Sequence, residues 1–252
     1  AKGELYETKC GFARVPNPYR EAYTSYGEAM RELESMEKQY PNLCERVKLG
    51  ESVQGRDIWA LRITEGGKDA PMHERTGVVI TGCHHAREWM TVEVPLNTCK
   101  TLLEDYSSSA EGKERLQKTE VWVIPVVNPD GLEFSRNHDN MWRKNRQPID
   151  TIVDGQRVKA VGVDPNRNYA DRTHANAYLN QKPGDKRNIT TDDFEQGSDD
   201  PKSDVYKGES GASEPEVQAL LRLELGNKNI AGVLDYHSYG ETVMYPWGFT
   251  KR

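Results

Sequence analysis

Three short apolar segments constrain the fold of this chain most strongly. They read TGVVITG (76–82), EVWVIPVVN (120–128) and IAGVLDYH (230–237). Continuously apolar runs of this length are typical of strands that are buried on both faces of a sheet. Strands of this kind need cover on either side, so helical segments should lie between them.

Helical patterns do occur between these strands. Helical spacing runs over residues 22–40, and a second helical segment spans about Glu88–Tyr106, in which Pro95 must kink the helix or delay its start. A third helix is predicted to begin at SEPE, because Ser213 and Glu216 have the spacing of a capping box.

The order of these elements predicts the fold class. Two further strand-like runs, 46–53 and 57–64, are separated by Gln54-Gly55-Arg56, which indicates a hairpin. Strands that alternate with helices predict an α/β fold, with a mixed, mainly parallel sheet and helices on both faces in a three-layer sandwich. Since the chain has no internal repeat and no linker, we expect residues 1–252 to form one domain.

Polar residues follow each of the three apolar strands, in the segments GCHHARE, NPDG and HSYG. Open α/β sheets bind ligands beyond the carboxyl ends of their central strands. We therefore expect these three segments to meet at one edge of the sheet and to form a functional site there.

Two of these segments contain potential metal ligands. His85 and Glu88 form an H-x-x-E motif on a turn that leads into a helix, so both side chains can reach one cation. His237, at the end of the third apolar strand, can supply a third ligand. Two imidazoles and a carboxylate, with a position left for water, are typical of a catalytic zinc site.

Other interpretations of this motif remain open, because short motifs often match by chance. The residues also fit a base that serves a nucleophile, or a cluster of surface charges. Arg87, Arg143 and Arg167 favour the metal, since zinc beside guanidinium groups suits a substrate with an anionic end and a carbonyl group. His84 lacks the spacing to Glu88, so we expect it to be buried or to support a metal ligand.

Composition excludes some classes of function. Hydrophobic residues make up 35% of the chain and the net charge of −6 is spread along it, which predicts neither nucleic acid nor an anionic membrane as a partner. The sequence contains no run of about 18 apolar residues, so no membrane span is predicted. The first residues lack the apolar stretch of a signal peptide, so the chain is either cytosolic or a mature form.

The cysteines and one sequon bear on the compartment. The four cysteines contain no C-x-x-C pair, which argues against a cysteine zinc site. Cys10 and Cys44 lie in polar sequence and could be bridged, whereas Cys83 and Cys99 fit small buried hydrophobic residues. The sequon at Asn188 lies in a polar stretch and favours a secreted protein.

Four segments carry a resemblance to a known family. They are GCHHAREW, NPDGLEFSRNHDNMWRKNR, GVDPNRNY and DYHSYG, the last followed by YPWG. In this order they resemble the active-site signatures of the zinc metallocarboxypeptidases of the pancreatic carboxypeptidase A/B type, from near Tyr19 to the last residues. The resemblance implies the same α/β sandwich and zinc-dependent hydrolysis of the C-terminal peptide bond of peptides and proteins.

The resemblance also implies a role for individual residues. It makes His85, Glu88 and His237 the ligands of one Zn²⁺ ion, which activates a water molecule. Arg143 would polarise the scissile carbonyl and stabilise the developing oxyanion. In a protein without that role, Arg143 would belong to a solvated basic loop.

Substrate binding is implied for a second group of residues. Asn166 and Arg167 would hold the terminal carboxylate of the substrate, Arg87 and Tyr239 would line the substrate subsites, and Gly248 would lie near the specificity pocket. The structural alternatives are an exposed arginine at a helix start, a turn asparagine, and a tyrosine that packs beside the sheet.

The family pattern includes two further groups late in the domain, which are a general-base glutamate and a mobile tyrosine that closes over the substrate. Neither is matched in the segment that runs to YPWGFTKR. We therefore expect this chain to be the N-terminal and central portion of a catalytic domain, with the rest deleted or held as a second polypeptide after a trypsin-like cut at Arg252. The family often has an inhibitory pro-segment, which would make the protein a zymogen.

Two other functions remain open. Because the general base is unmatched, the main alternative is a zinc- and peptide-binding module without catalysis. The other is an acylase or deacylase that uses the same zinc ligands on a small acyl-amino acid. The preferred C-terminal side chain of a substrate is not set by these residues.

Overall fold

The computed structural model describes residues 20–72, 74–153, 155–169 and 197–244. The strands within these ranges are β1 (Cys44–Glu51), β2 (Asp57–Ile63), β3 (Thr76–Thr81), β4 (Thr119–Ile124), β5 (Pro148–Val153), β6 (Gln156–Val161) and β7 (Ile230–Asp235). The helices are α1 (Tyr26–Gln39), α2 (Met90–Ser108), α3 (Ala110–Lys118), α4 (Pro129–Asn137) and α5 (Pro215–Gly226). Short 3-10 turns lie at Arg20–Ala22, Gly67–Asp69 and Pro165–Arg167.

Five strands form one mixed sheet in the order β1-β2-β4-β3-β7, and β5 pairs with β6 in a separate hairpin. β2 pairs antiparallel with β1 and β4, whereas β3 pairs in parallel with β4 and β7. The hairpin between β1 and β2 turns at Gly55, whose φ of 80° suits a residue without a Cβ atom. The predicted α/β class, the mixed sheet and this hairpin are confirmed.

Side chains of the central strands alternate between the two faces of the sheet. In β4, Val121 and Val123 join the hydrophobic core that packs against α1, α2 and α3, whereas Trp122 and Ile124 join the core that packs against α5. Helices therefore cover both faces, as the three-layer prediction requires.

β7 contradicts the prediction that residues 230–237 form a buried strand. The strand runs from Ile230 to Asp235, but its residues from Ala231 onward are exposed, with Val233 46% and Leu234 52% exposed. Within the described part of the chain, β7 lies at the edge of the sheet and pairs with β3 alone. An apolar run predicts a strand, while burial depends on which neighbours pack against it.

The capping box lies at a different helix from the one predicted. In α1, the Ser25 side chain accepts a hydrogen bond from the Glu28 backbone and the Glu28 side chain accepts one from the Ser25 backbone. At α5 the capping residue is Glu214, which makes no capping bond through its side chain. The hydroxyl of Ser213 instead donates to the Glu214 carboxylate, and Glu216 is fully buried. The predicted box at Ser213 is therefore wrong, because the Ser213 hydroxyl also accepts from Asn168, while the Glu216 carboxylate accepts from Val53 and Asn145.

The second predicted helix begins at Met90 rather than at Glu88, and Pro95 lies inside it. None of the described helices is long and apolar enough to cross a membrane.

Three cysteines are buried free thiols, and the described residues contain no disulfide. Cys83 and Cys99 are buried as predicted. Cys44 is only 2% exposed and packs in the hydrophobic core, which contradicts the polar surroundings expected for it. Cys10, Asn188 and Gly248 lie outside the described residues, so the predictions for them stay predictions.

Candidate metal centre

The carboxyl ends of β3, β4 and β7 meet at one edge of the sheet, because β3 runs parallel to both of its neighbours. The turn between β3 and α2 carries His85 and Glu88, and His237 follows the end of β7. The predicted metal ligands therefore lie at the edge where the sequence placed a functional site.

Donor atoms of these three side chains converge. Nδ1 of His85 lies 2.7 Å from Oε1 of Glu88 and 3.1 Å from Nδ1 of His237. Oε2 of Glu88 lies 3.0 Å from the same His237 nitrogen. Ligand atoms placed tetrahedrally around zinc are about 3.3 Å apart, so side-chain shifts of a few tenths of an ångström would admit the ion. Two imidazoles and one carboxylate also match the donor set of catalytic zinc sites.

Backbone contacts fix the turn that carries His85 and Glu88. A Cβ atom at Gly82 would lie 2.0 Å from the carbonyl oxygen of Thr91, so only glycine lets the end of β3 approach α2 this closely. The hydroxyl of Thr91 accepts a hydrogen bond from the Cys83 backbone and donates one to the Glu88 carbonyl. The turn is therefore held by the chain itself, independently of any ion.

Each histidine meets a second carboxylate through its other ring nitrogen. Nε2 of His85 lies 3.2 Å from Oδ1 of Asp164, and Nε2 of His237 lies 2.7 Å from Oδ2 of Asp235. A carboxylate in this position sets the tautomer and orientation of a metal-binding imidazole. Sequence reasoning missed both aspartates. Asp164 stands within the DPNRN motif, and Asp235 precedes His237 by two residues, a spacing that places side chains on one side of a strand.

These contacts set the charges of the centre. Burial alone would raise the pKa of Glu88, but hydrogen bonds from His237 and His85 lower it to about 2. Burial opposes a charge on His237, yet its hydrogen bonds to Asp235 and Glu88 raise its pKa to about 9. Burial also raises the pKa of Asp164, but its contact with His85 and the nearby guanidinium groups bring it below the ordinary value. Glu88 and Asp164 are therefore ionised at neutral pH, which suits a carboxylate ligand and a carboxylate that orients a histidine ligand. His237 is protonated at neutral pH and would have to release that proton to a metal.

Arg143 lies beside the centre and shares a partner with it. Its Nε and Nη2 atoms lie 2.9 and 2.8 Å from Oδ2 of Asp164, whose other carboxylate oxygen contacts His85. One buried carboxylate thus positions both a candidate metal ligand and a guanidinium group. The side chain of Arg143 is only 12% exposed, which contradicts the alternative of a solvated basic loop.

The 3-10 turn Pro165–Arg167 brings two further predicted residues to this region. Nδ2 of Asn166 lies 3.1 Å from Nε2 of His237, and its backbone N–H donates to Oδ1 of Asp164. The guanidinium of Arg167 donates to the Asn166 carbonyl. Burial holds the pKa of Arg167 below its ordinary value although the Asp164 carboxylate acts in the opposite direction. Asn166 therefore contacts the centre directly, and Arg167 lies within the electrostatic reach of Asp164.

Two predicted substrate residues have other surroundings. Arg87 donates to the carbonyl of Met141 and lies 3.6 Å from the carboxylate of Asp204. Tyr239 is fully exposed, which contradicts the alternative of a residue packed beside the sheet. The described contacts of Arg87 do not involve the metal centre, and substrate binding by Arg87 and Tyr239 stays a prediction.

The fold and this site define an α/β protein with a two-histidine, one-glutamate centre suited to zinc. Residues 29–252 match the family model described as zinc carboxypeptidase. The chain therefore belongs to the zinc carboxypeptidase family.

Individual relatives agree with this assignment. Metallocarboxypeptidase A of Trichophyton rubrum is 31% identical over 244 residues, which are 95% of this chain and 51% of the relative. Carboxypeptidase B of Astacus astacus is 31% identical over 231 residues, which are 91% of this chain and 66% of the relative. The crystal structure of thrombin-activatable fibrinolysis inhibitor has a TM-score of 0.73 and 25% identity, covering 96% of this chain and 53% of that chain. The chain spans about half the length of the fungal relative.

Proposed function

We propose that the protein containing this chain is a metallocarboxypeptidase, which hydrolyses the C-terminal peptide bond of peptides and proteins with one zinc ion per chain. The convergence of His85, Glu88 and His237 carries this proposal. Membership of the zinc carboxypeptidase family supports the same reaction class. When bound, zinc supplies Lewis acidity, which polarises a carbonyl group and makes water more acidic.

The charges beside the centre support a substrate with a terminal carboxylate. Arg143 and Arg167 both interact with Asp164, so this group of three has two positive charges and one negative charge. A guanidinium can bind a carboxylate through two parallel hydrogen bonds. We propose that Arg167, with the Asn166 amide, holds the substrate carboxylate and so confines cleavage to the end of a peptide.

Arg143 is proposed to stabilise the negative charge that develops on the carbonyl oxygen during hydrolysis. Its guanidinium is already oriented by two contacts with Asp164, at 2.9 and 2.8 Å. A donor that is held in place before the reaction needs little rearrangement as charge develops, which is the basis of electrostatic catalysis.

Metal content and substrate choice test the proposed function together. The intact protein should bind one equivalent of zinc and cleave a peptide with a free C-terminal carboxylate, but not the same peptide with a C-terminal amide. A chelator should stop the reaction and added zinc should restore it. Zinc binding without cleavage would instead support the peptide-binding module, and absence of zinc binding would contradict both functions.

Replacing one arginine tests the role of Arg143. Arg143→Ala should lower kcat by roughly 100- to 1,000-fold, the usual effect of removing an oxyanion donor, while the zinc content stays at one equivalent. Arg157→Ala is the matched control, because Arg157 pairs with Asp150 on the exposed β5–β6 hairpin. A kcat within about threefold of the unmodified protein would remove Arg143 from the proposed reaction.

We also propose that further polypeptide packs against β7 in the whole protein. The exposed apolar side chains of Val233 and Leu234 on an edge strand support this, because contiguous exposed apolar surface usually has a partner. Intact mass spectrometry of the denatured protein should reveal either a longer chain or a second polypeptide. A single species with the mass of the present sequence would contradict this proposal. We further propose secretion, which is supported by the sequon at Asn188 alone.

A further inference from the structure

His84 is a buried histidine that the proposed reaction does not use. It is 3% exposed and lies immediately before His85. Its Nε2 atom is 2.9 Å from the hydroxyl oxygen of Tyr169. Its Nδ1 atom is 2.8 Å from Oδ1 of Asp235, an ion-pair contact in which the N–H direction does not meet hydrogen-bond geometry. A buried imidazole with polar partners on both nitrogens is held in one orientation.

Asp235 connects His84 with the metal centre. Its Oδ1 accepts a hydrogen bond from the hydroxyl of Thr81 at 2.8 Å and lies beside His84. Its Oδ2 lies 2.7 Å from Nε2 of His237. The carboxylate therefore has contacts from three side chains, two on β3 or just after it and one just after β7.

Asp235 lies on a strand that pairs with β3 alone among the described residues. Asp235 is the last residue of this edge strand, and its register with β3 pairs it with Thr81. Thr81 and His84 therefore connect the Asp235 carboxylate to the buried part of the sheet.

One assignment of protons fits the contacts of the Asp235 carboxylate, although it leaves the Asn166 amide, 3.1 Å from Nε2 of His237, without a lone pair to donate to. The Tyr169 hydroxyl donates to Nε2 of His84, the Nδ1–H of His84 faces Oδ1 of Asp235, and the Nε2–H of His237 donates to Oδ2. The other nitrogen of His237, Nδ1, donates to Glu88 here, and loss of that proton to an incoming metal would leave the neutral imidazole with its lone pair on Nδ1. This is the tautomer that a metal ligand needs.

We propose that His84 is a positioning residue for the metal ligand His237, acting through Asp235, with Tyr169 setting the tautomer of His84. Tyr169 lies two residues after Arg167, so the same contacts connect the ligand to the turn proposed to hold the substrate carboxylate. This inference rests on the proposed zinc site.

A second metal site is the competing interpretation, because His84, Asp235 and His237 also have donor atoms within 4.8 Å of one another. An ion in that position would take the Nε2 lone pair of His237 and displace its proton. It would therefore remove the hydrogen bond to Asp235 on which the positioning role depends.

Three substitutions at residue 84 test the contacts of the two imidazole nitrogens separately. In His84→Asn the amide falls near the position of Nδ1 and can still donate to Asp235. In His84→Gln it falls near Nε2, so it keeps the Tyr169 contact and loses the donor to Asp235. His84→Leu removes both contacts. His138→Asn is the control, since His138 is exposed and stacks on Phe134.

The measurements are made on the intact protein, with zinc affinity obtained by competition against a chelator. His84→Leu and His84→Gln should each weaken zinc binding by about tenfold, the lower end of the usual effect of a residue that supports a metal ligand. Binding by His84→Asn and His138→Asn should stay within about threefold of the unmodified protein. The visible spectrum of the cobalt-substituted protein should change in the Leu and Gln variants alone, a signature that loss of stability would not produce. Thermal unfolding of the metal-free variants checks that each one folds.

Three results would overturn the inference. The first is that His84→Leu leaves the zinc affinity and the cobalt spectrum unchanged. The second is that His84→Asn and His84→Gln behave alike. The third is that the unmodified protein binds a second equivalent of zinc, which His84→Leu loses. If His84→Leu does not fold, the comparison of Asn with Gln still decides. Failure of the unmodified protein to bind any zinc would instead contradict the proposed function.

Discussion

The two sides of the metal centre have different supports. His85 and Glu88 follow β3, which has hydrogen-bonded neighbours on both sides, and the turn that carries them is buried. His237 follows β7, which is exposed and pairs with β3 alone within the described residues. His237 makes polar contacts with Glu88, His85, Asp235 and Asn166, and its ring lies against the rings of His84 and His85.

This difference suggests how the site is assembled. The core side of the metal centre, which carries His85 and Glu88, is fixed by the packing of Gly82 against Thr91 and by the hydrogen bond from Thr91 to the Glu88 carbonyl. The edge side, which carries His237 after β7, depends on a few polar contacts, including the hydrogen bond that the Ser238 backbone donates to Glu88 at 3.0 Å. We therefore expect the core side to dominate stability and the edge side to respond more to the metal.

The largest expected effect is on stability. Leu61→Ala in β2 should lower the free energy of unfolding by about 2–5 kcal/mol, because Leu61 is fully buried and its removal leaves a cavity. In the chain of residues 1–252 alone, the same substitution at Leu234 in β7 should change it by less than about 0.5 kcal/mol, since that side chain is 52% exposed, and by more where further polypeptide packs against β7 as proposed. Urea unfolding of the two variants measures the contrast, and equal losses would show that β7 is packed as tightly as β2.

A pH dependence should come from a buried carboxyl group on α5, away from β7. Burial raises the pKa of Glu216 to about 7 from its ordinary value of 4.5. The folded protein then keeps a proton that the unfolded chain loses as the pH rises from 4.5 to 7, so this group lowers stability over that range. The free energy of unfolding should fall by up to about 3 kcal/mol through Glu216.

Glu216→Gln tests this dependence, because the amide keeps an acceptor for the Val53 backbone and cannot ionise. Urea unfolding at several pH values should show that the difference between the unmodified protein and the variant grows from pH 4.5 to 7. A difference that is constant over this range would show that Glu216 ionises normally in the folded protein.

The smallest of these effects concerns the metal. Zinc at about 100 times its dissociation constant stabilises the bound state by about 2.7 kcal/mol. Backbone hydrogen exchange should therefore slow roughly 100-fold in any segment whose local opening releases the ion. Backbone amides of β7 should show this slowing, whereas those of β2 and β4 should change less. Hydrogen exchange with and without zinc measures it, with His237→Ala as the control that lacks the effect. Equal slowing in β2 and β7 would indicate that the two sides open together.

Local patterns in the sequence determined much of this protein. The apolar runs at 76–82 and 120–128 became β3 and β4, and Gln54-Gly55-Arg56 became the turn of the β1–β2 hairpin. The order of strands and helices was enough to place His85 and His237 at one edge of the sheet. These features follow from periodicity and turn chemistry, which act over a few residues.

Only the tertiary structure decided which side chains meet. Glu88 and His237 are 149 residues apart, and the carboxylates of Asp164 and Asp235 reach the two histidines through contacts that no local pattern reports. The exposure of β7 was likewise undetermined, since an apolar strand has the same sequence pattern at an edge as at the centre of a sheet. Burial and hydrogen-bond partners depend on distant segments that pack together, so they appear only when the whole sheet is assembled.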